Sequence, residues 1–167
     1  MREWVTVGFD PGLATTGYGV VVGDAHDVRA LAGGIIETAS GLSRADRLRI
    51  LSTEAGEILA RYAPVGVAIE EVFFATNAQS AMRTAEARGA LLVAAASIPV
   101  HGYTPLQVKK RMTGYGRATK AQVQAMVRRL LNLSEVPKPD DVADGLALAL
   151  CCHLDLRAPG KADHVYL

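Results

Sequence analysis

Residues 5–12 read Val-Thr-Val-Gly-Phe-Asp-Pro-Gly, and the rest of the 167-residue chain is organised around this stretch. Val5 to Phe9 is a short, mostly apolar strand, Asp10 stands at its end, and Pro11-Gly12 is a turn signal that stops it. Gly17 to Val22 follows as a second strand and Val28 to Thr38 as a third. Short Gly- and Asp-containing turns join them, so the first 38 residues are expected to form an antiparallel meander.

Beyond the meander the pattern alternates. Ser43-x-x-Asp46 opens a helix reaching about Tyr62, with Leu48, Leu51, Ala55, Ile58 and Leu59 on one face, and Pro64 ends it. Val65 to Ile69 is almost wholly apolar, as a strand buried on both faces must be. Thr76-x-x-Gln79 has the form of a capping box for an Ala-rich helix lasting to about Ser97. Pro99 to Tyr103 is a fifth strand, a short helix follows Pro105, and Thr113 to Ala118 is a glycine-containing loop. Thr119-x-x-Gln122 caps a helix to about Leu131, and Asp140 is placed to cap a last helix, Asp141 to Leu156. These elements predict one α/β domain over residues 1–157, a mixed five-stranded sheet with helices on both faces, and a flexible tail over 158–167. Their order resembles that of the ribonuclease-H-like fold.

Half of the chain is hydrophobic and 21% is charged, which is ordinary globular composition and excludes a disordered chain. No run of 18 apolar residues occurs and no apolar segment precedes Gly8, so neither a membrane span nor a signal peptide is expected. Cys151 and Cys152 are neighbours, poorly placed for a mutual disulfide, and are read as small core residues of a cytoplasmic protein. The net charge of +1 hides an asymmetry: Asn77 to Ser134 holds nine bases and one acid, whereas acids outnumber bases before Asn77. Ile98 to Ser134 has seven bases and no carboxylate, which suits a surface that holds a polyanion.

Four acids do not sit where a solvated face would put them. Asp10 ends the first strand, Glu70 ends the Val65–Ile69 strand, and Asp141 and Asp144 lie three apart on an otherwise apolar helix. Glu71 competes with Glu70, because alternation along a strand sends one to each face and pattern alone leaves the choice open. Carboxylates converging in a partly dry place raise one another's pKa, a conflict that divalent cations resolve. Oxygen-only donors suit Mg²⁺ or Mn²⁺, and two such ions about 3.5–4 Å apart clamp a phosphodiester for in-line attack. The competing reading is structural: Asp10 as a turn former, and Asp140, Asp141 and Asp144 as complements to the helix dipole.

Gly8-Phe9-Asp10-Pro11-Gly12, Thr16-Gly17-Tyr18-Gly19, Ala68-Ile69-Glu70-Glu71-Val72-Phe73-Phe74 and Ala87-Arg88-Gly89 closely resemble segments of the RuvC family of bacterial Holliday-junction resolvases. Gln107-Val108-Lys109, Lys120-Ala121-Gln122-Val123-Gln124 and Asp141-x-x-Asp144-Gly145-Leu146-Ala147 continue the resemblance in order, across all but the tail. The resemblance implies a homodimeric, Mg²⁺-dependent endonuclease, with Mn²⁺ as a substitute, that resolves four-way DNA junctions by paired symmetric nicks in recombination and repair. It implies Asp10, Glu70, Asp141 and Asp144 as catalytic and metal-binding acids, Lys109 and Lys120 as bases that assist cleavage, and Phe73 as an aromatic at the crossover. A working contact with the RuvA-RuvB branch-migration complex is also implied by resemblance alone.

Within that frame, Asp10 is expected to bridge two metals, Glu70 to hold one, and Asp144 with Asp141 the other. Lys109, Lys110, Arg111, Arg117 and Lys120 are expected to contact phosphates. Phe73 is expected to be accessible and Phe74 core-facing, and the Asn77–Ser97 helix to form the dimer contact. His26, His101, His153 and His164 are expected to have no catalytic role. Two other classes compete. Asp10-Pro-Gly-x-x-Thr-x-Gly also resembles the phosphate loop of actin-like ATPases and sugar kinases, although this chain holds one such half and those proteins need two. A catalytically silent junction-binding protein is the third reading, opposed by intact acids at all four matched positions.

Overall fold

The computed structural model describes residues 3–72 and 77–157, together with the backbone of a two-residue strand at 165–166. Its strands are β1 (Trp4–Asp10), β2 (Thr15–Gly23), β3 (Val28–Glu37), β4 (Gly66–Glu70), β5 (Val100–Tyr103) and β6 (Val165–Tyr166). Its helices are α1 (Arg44–Tyr62), α2 (Ala78–Ala94), α3 (Pro105–Thr113), α4 (Lys120–Leu130) and α5 (Asp140–Leu156). The strands form one mixed sheet in the order β3-β2-β1-β4-β5-β6. The meander β1-β2-β3 is antiparallel, β4 and β5 add to β1 in parallel, and β6 closes the far edge antiparallel to β5. The five expected strands are therefore joined by a short sixth, drawn from the stretch read as a loose tail.

Each face of the sheet carries its own core, because the strands are apolar on both sides. Val7, Phe9, Val67 and Ile69 meet Leu51 and Leu59 of α1 and Leu91 of α2 on one face. On the other, Ala68 joins Val123 and Val127 of α4 and the apolar run of α5. Helix α5 lies directly on β1 and β2, where Gly8, Gly17, Gly19 and Gly145 leave no room for a side chain. A Cβ on Gly8 would meet the backbone of Gly145 and Ala149, so the helix rests on the strand backbone itself. Thr6 adds a fixed point by donating its hydroxyl to the Ala149 carbonyl at 2.9 Å.

Helix starts follow the sequence with two differences. Ser43 caps α1, and Thr104 and Thr119 form complete capping boxes with Gln107 and Gln122. Helix α2 is capped by Asn77, whose side chain accepts from the Ser80 N–H, rather than by the expected box at Thr76, a residue outside the described ones. Asp140 does not cap α5 either. Pro139 holds the cap position without a side-chain bond, and Asp140 is the first helical residue.

Candidate active site

The site is assembled where β1, β4 and α5 end together. β1 and β4 run parallel with Phe9 opposite Ile69, so Asp10 and Glu70 are the next residues on adjacent strands. Thr6 and Gly8 on β1 and Ala68 on β4 face α5, and the two-residue alternation of a strand sends Asp10 and Glu70 to that same face. Glu71 points the other way, toward α2. Arg88 Nη2 lies 3.3 Å from its Oε1, while Arg88 Nε donates to the Glu70 carbonyl at 3.2 Å. The choice between Glu70 and Glu71, open in the sequence pattern, is thus a matter of register.

The first turn of α5 is brought onto this corner by a glycine. Asp10 pairs across the ladder with Gly17, and a Cβ on Gly17 would run into the carbonyl and side chain of Asp141. From Val142 to His153 every residue of α5 is buried except Asp144, which turns its carboxylate to the open corner.

Crowding shows in the electrostatics. The Asp10 and Glu70 carboxyls adjoin at the ends of the paired strands, and the pKa of each is raised, first by burial and then by neighbouring carboxylates. Asp144 is raised as well, again chiefly by burial, although Lys120 opposes the shift. Lys120 opens α4, and its Nζ stands 3.2 Å from Asp144 Oδ2 and 3.4 Å from Asp140 Oδ2. Gln124, one turn further on, donates to Asp140 Oδ1 at 3.1 Å. The roles of Gln124 and Arg88 were not singled out in the sequence; the one available signal was a single basic residue on the inner side of an Ala-rich helix.

Among the described residues no group of three or more His, Cys, Asp or Glu forms a ready-made cation site. The donor set nevertheless suits a hard cation: it is all oxygen, its carboxylates are crowded, and one positive group, the Lys120 ammonium, stands beside Asp144. A divalent ion can relieve that crowding without any change of donor type.

The remaining predicted residues fall in different places. Lys109 is half-buried and, with Thr104, Pro105, Leu106 and Gly116, lines a pocket of about 220 Å³. Lys110 and Arg117 are exposed. Arg111 is held away from the acids: it pairs with Asp155 at 2.6 Å, and Tyr103 donates to the same carboxylate at 2.8 Å. Asp155 lies fourteen residues beyond Asp141, about 21 Å along α5. Phe73 and Phe74 lie outside the described residues, as does His164. His101 and His153 are buried in the fold, and burial lowers the pKa of both. Cys151 and Cys152 are buried free thiols.

The chain matches known proteins along most of its length. The family model "Crossover junction endodeoxyribonuclease RuvC" covers residues 6–153. The protein of that name from Heliobacterium modesticaldum is 49% identical over 150 residues, 89% of this chain and 93% of the relative. Its counterpart from Rubrobacter xylanophilus is 49% identical over 149 residues, 88% of this chain and 83% of the relative. Among solved structures, Thermus thermophilus RuvC superimposes with a TM-score of 0.88 at 36% identity, over 97% of this chain and 99% of that one. The same protein in complex with a Holliday junction substrate gives 0.86, over 98% and 99%. Yeast mitochondrial Holliday junction resolvase, 11% identical with a TM-score of 0.64 over 87% of this chain and 77% of that one, shares the fold. On the breadth of these matches, the chain belongs to the RuvC family of crossover junction endodeoxyribonucleases.

Proposed function

We propose that this chain is a cytoplasmic, structure-specific endodeoxyribonuclease that resolves four-way DNA junctions by paired, symmetric hydrolytic nicks in recombination and repair. The observation that carries the reading is the meeting of Asp10 and Glu70 with the first two turns of α5, where Asp141 and Asp144 stand. Family membership favours it over a nucleotide-binding half-domain and over a silent junction-binding protein.

RuvC nucleases depend on metal, and for this chain the ions are two Mg²⁺ per site, with Mn²⁺ as a substitute. Asp10, Glu70, Asp141 and Asp144 are the residues that would hold them, Asp10 standing between Glu70 on the strand side and the α5 acids on the other. When bound, such ions would make an attacking water more acidic and would stabilise charge on the leaving 3′ oxygen. The chain's own residues fix the geometry. The parallel β1–β4 pair sets the spacing of Asp10 and Glu70, Arg88 anchors the end of β4, and the glycine seat at Gly17 sets the height of α5. Lys120, held by Asp144 at 3.2 Å, is assigned to the scissile phosphate as substrate enters. Lys109, Lys110 and Arg117 are assigned to neighbouring phosphates, and Arg111 to the same role once released from Asp155. Phe73 is assigned to stacking at the crossover, a contact worth about 1–3 kcal/mol per base.

The active form is a homodimer, since two sites related by a two-fold match the near-symmetry of a four-way junction. Helix α2 supports this: Met82 and Val93 are exposed apolar residues on it, and the space over Gly89 is open. The RuvA-RuvB branch-migration complex is the expected working partner. Cleavage of a mobile four-way junction and of linear duplex, each with and without Mg²⁺, tests the proposal. Metal-dependent, paired nicking confined to the junction is the expected result, and equal cutting of linear duplex overturns it.

A further inference from the structure

The molecule carries a second basic surface that the active site does not use. An open groove of about 680 Å³ lies between the α3–α4 loop and the outer side of α4. Thr113 and Tyr115 of the loop line it together with Gln122, Arg128, Arg129 and Asn132, and among the described residues its lining holds no acid. Neither guanidinium has a carboxylate within ion-pair distance among the described residues. Arg128 reaches only the Ser134 carbonyl, at 3.5 Å. Two arginines in the last turn of a helix complement its dipole, but the dipole accounts for neither the acid-free lining nor the aromatic that shares the groove.

Tyr115 is held out rather than left loose. Gly114 takes a left-handed conformation with φ of 77°, and the Thr113 hydroxyl accepts from the Tyr115 N–H at 3.1 Å while donating to the Lys109 carbonyl at 2.8 Å. Tyr115 as a whole is 57% exposed. An exposed aromatic sharing a groove with a pair of uncompensated arginines is the pairing that takes a nucleic-acid strand, ring against sugar or base and guanidinium on phosphate.

Position supplies the rest. Arg128 lies eight residues past Lys120 on α4, about 12 Å of helix rise from the lysine that touches Asp144. At about 3.4 Å per base pair that distance corresponds to three or four base pairs of duplex. The geometry points to this groove as a docking site for the sugar–phosphate backbone of one duplex arm, three to four base pairs from the nicked phosphate. The inference rests on the nuclease reading and names a contact of that same substrate outside the acid cluster. It makes Arg128, Arg129 and Tyr115 arm-binding residues.

The test measures junction binding in the absence of divalent metal, over a range of KCl, for wild type, for Arg128→Gln with Arg129→Gln, and for Tyr115→Ala. Each lost phosphate contact flattens the log–log salt dependence by about 0.9, so the double variant is expected to lose about 1.8 from the slope. Tyr115→Ala is expected to weaken binding at an unchanged slope, because stacking releases no counterions. Single methylphosphonates scanned outward from the nick require no altered protein. One placed three or four nucleotides away is expected to weaken binding to wild type and to have no effect on the double variant. An unchanged slope, or a silent scan on wild type, overturns the inference; a double variant that binds like wild type leaves the groove to an acidic protein and does the same. Wild-type nicking of the same junction separates the two levels: nicking with an unchanged slope defeats the groove alone, and wild type that neither binds nor nicks defeats both.

Discussion

Gly17 and Asp141 touch backbone to backbone: the hydrogen on Gly17 faces the carbonyl of Asp141, and the Asp141 Cβ lies only 2.8 Å from where a methyl group would stand. Since Gly17 is also the ladder partner of Asp10, this one contact fixes how far the first turn of α5 stands from the strand acids. Gly17→Ala is therefore expected to lift that turn, costing about 1–3 kcal/mol of stability. Nicking is expected to fall at least tenfold while junction binding changes little. Thermal unfolding and single-turnover cleavage measured side by side check this.

Asn in place of Asp10 or Asp144, or Gln in place of Glu70, is expected to abolish nicking and to leave junction binding largely intact. Gel-shift and cleavage assays on the same junction decide it. Full activity in Asp144→Asn removes that residue from the site.

The raised pKa values of Asp10 and Glu70 carry a definite sign. Above the ordinary carboxylate range the native state keeps protons that the unfolded chain has already lost, so stability falls as pH rises toward the native values. The metal-free protein is expected to lose stability from about pH 5 upward through neutrality. Glu70→Gln is expected to flatten that trend, and added Mg²⁺ to oppose it most strongly at the alkaline end. Urea midpoints across pH 5 to 9, with and without Mg²⁺, provide the check.

Lys120 is half-exposed, and pairs of that kind contribute about 0–1 kcal/mol. Lys120→Met is expected to shift the unfolding midpoint little and to reduce nicking at least tenfold, through loss of a positive charge beside Asp144. A large loss of stability with normal cleavage would assign the lysine to structure instead.

Arg88 is more deeply placed, holding both the Glu70 carbonyl and the Glu71 carboxylate. Arg88→Ala is expected to cost about 1–3 kcal/mol and to slow nicking by loosening the end of β4. Glu71→Gln, which keeps a hydrogen-bond acceptor for the guanidinium, is expected to be milder in both assays.

What the sequence disclosed depended on how local each signal was. Asp10 and Glu70 were legible because a carboxylate after an apolar strand is conspicuous, and Asp141 and Asp144 because the helix around them is otherwise apolar. The orientation of Glu70 against Glu71 was not, since it follows from the Thr6–Gly66 register between strands sixty residues apart. Asp140 looked like a cap because acids favour that position, yet Lys120 and Gln124 draw it into a network across helices. Arg111 counted as one more base in an acid-free stretch, and only the packing of α3 against α5 brought it to Asp155. Val165–Tyr166 carried too little pattern to reveal a strand that depends on the open edge of β5.

Helix α5 has a further bearing on how such a nuclease can be controlled. A helix interred along twelve consecutive residues, save for one carboxylate, cannot slide or swing without stripping the lining from the sheet beneath it. The corner where Asp10 and Glu70 meet α5 is consequently an anvil. The limb of DNA laid on it must do the bending, and any throttle on the reaction has to reside in the peripheral loops or in the shape of the branched substrate.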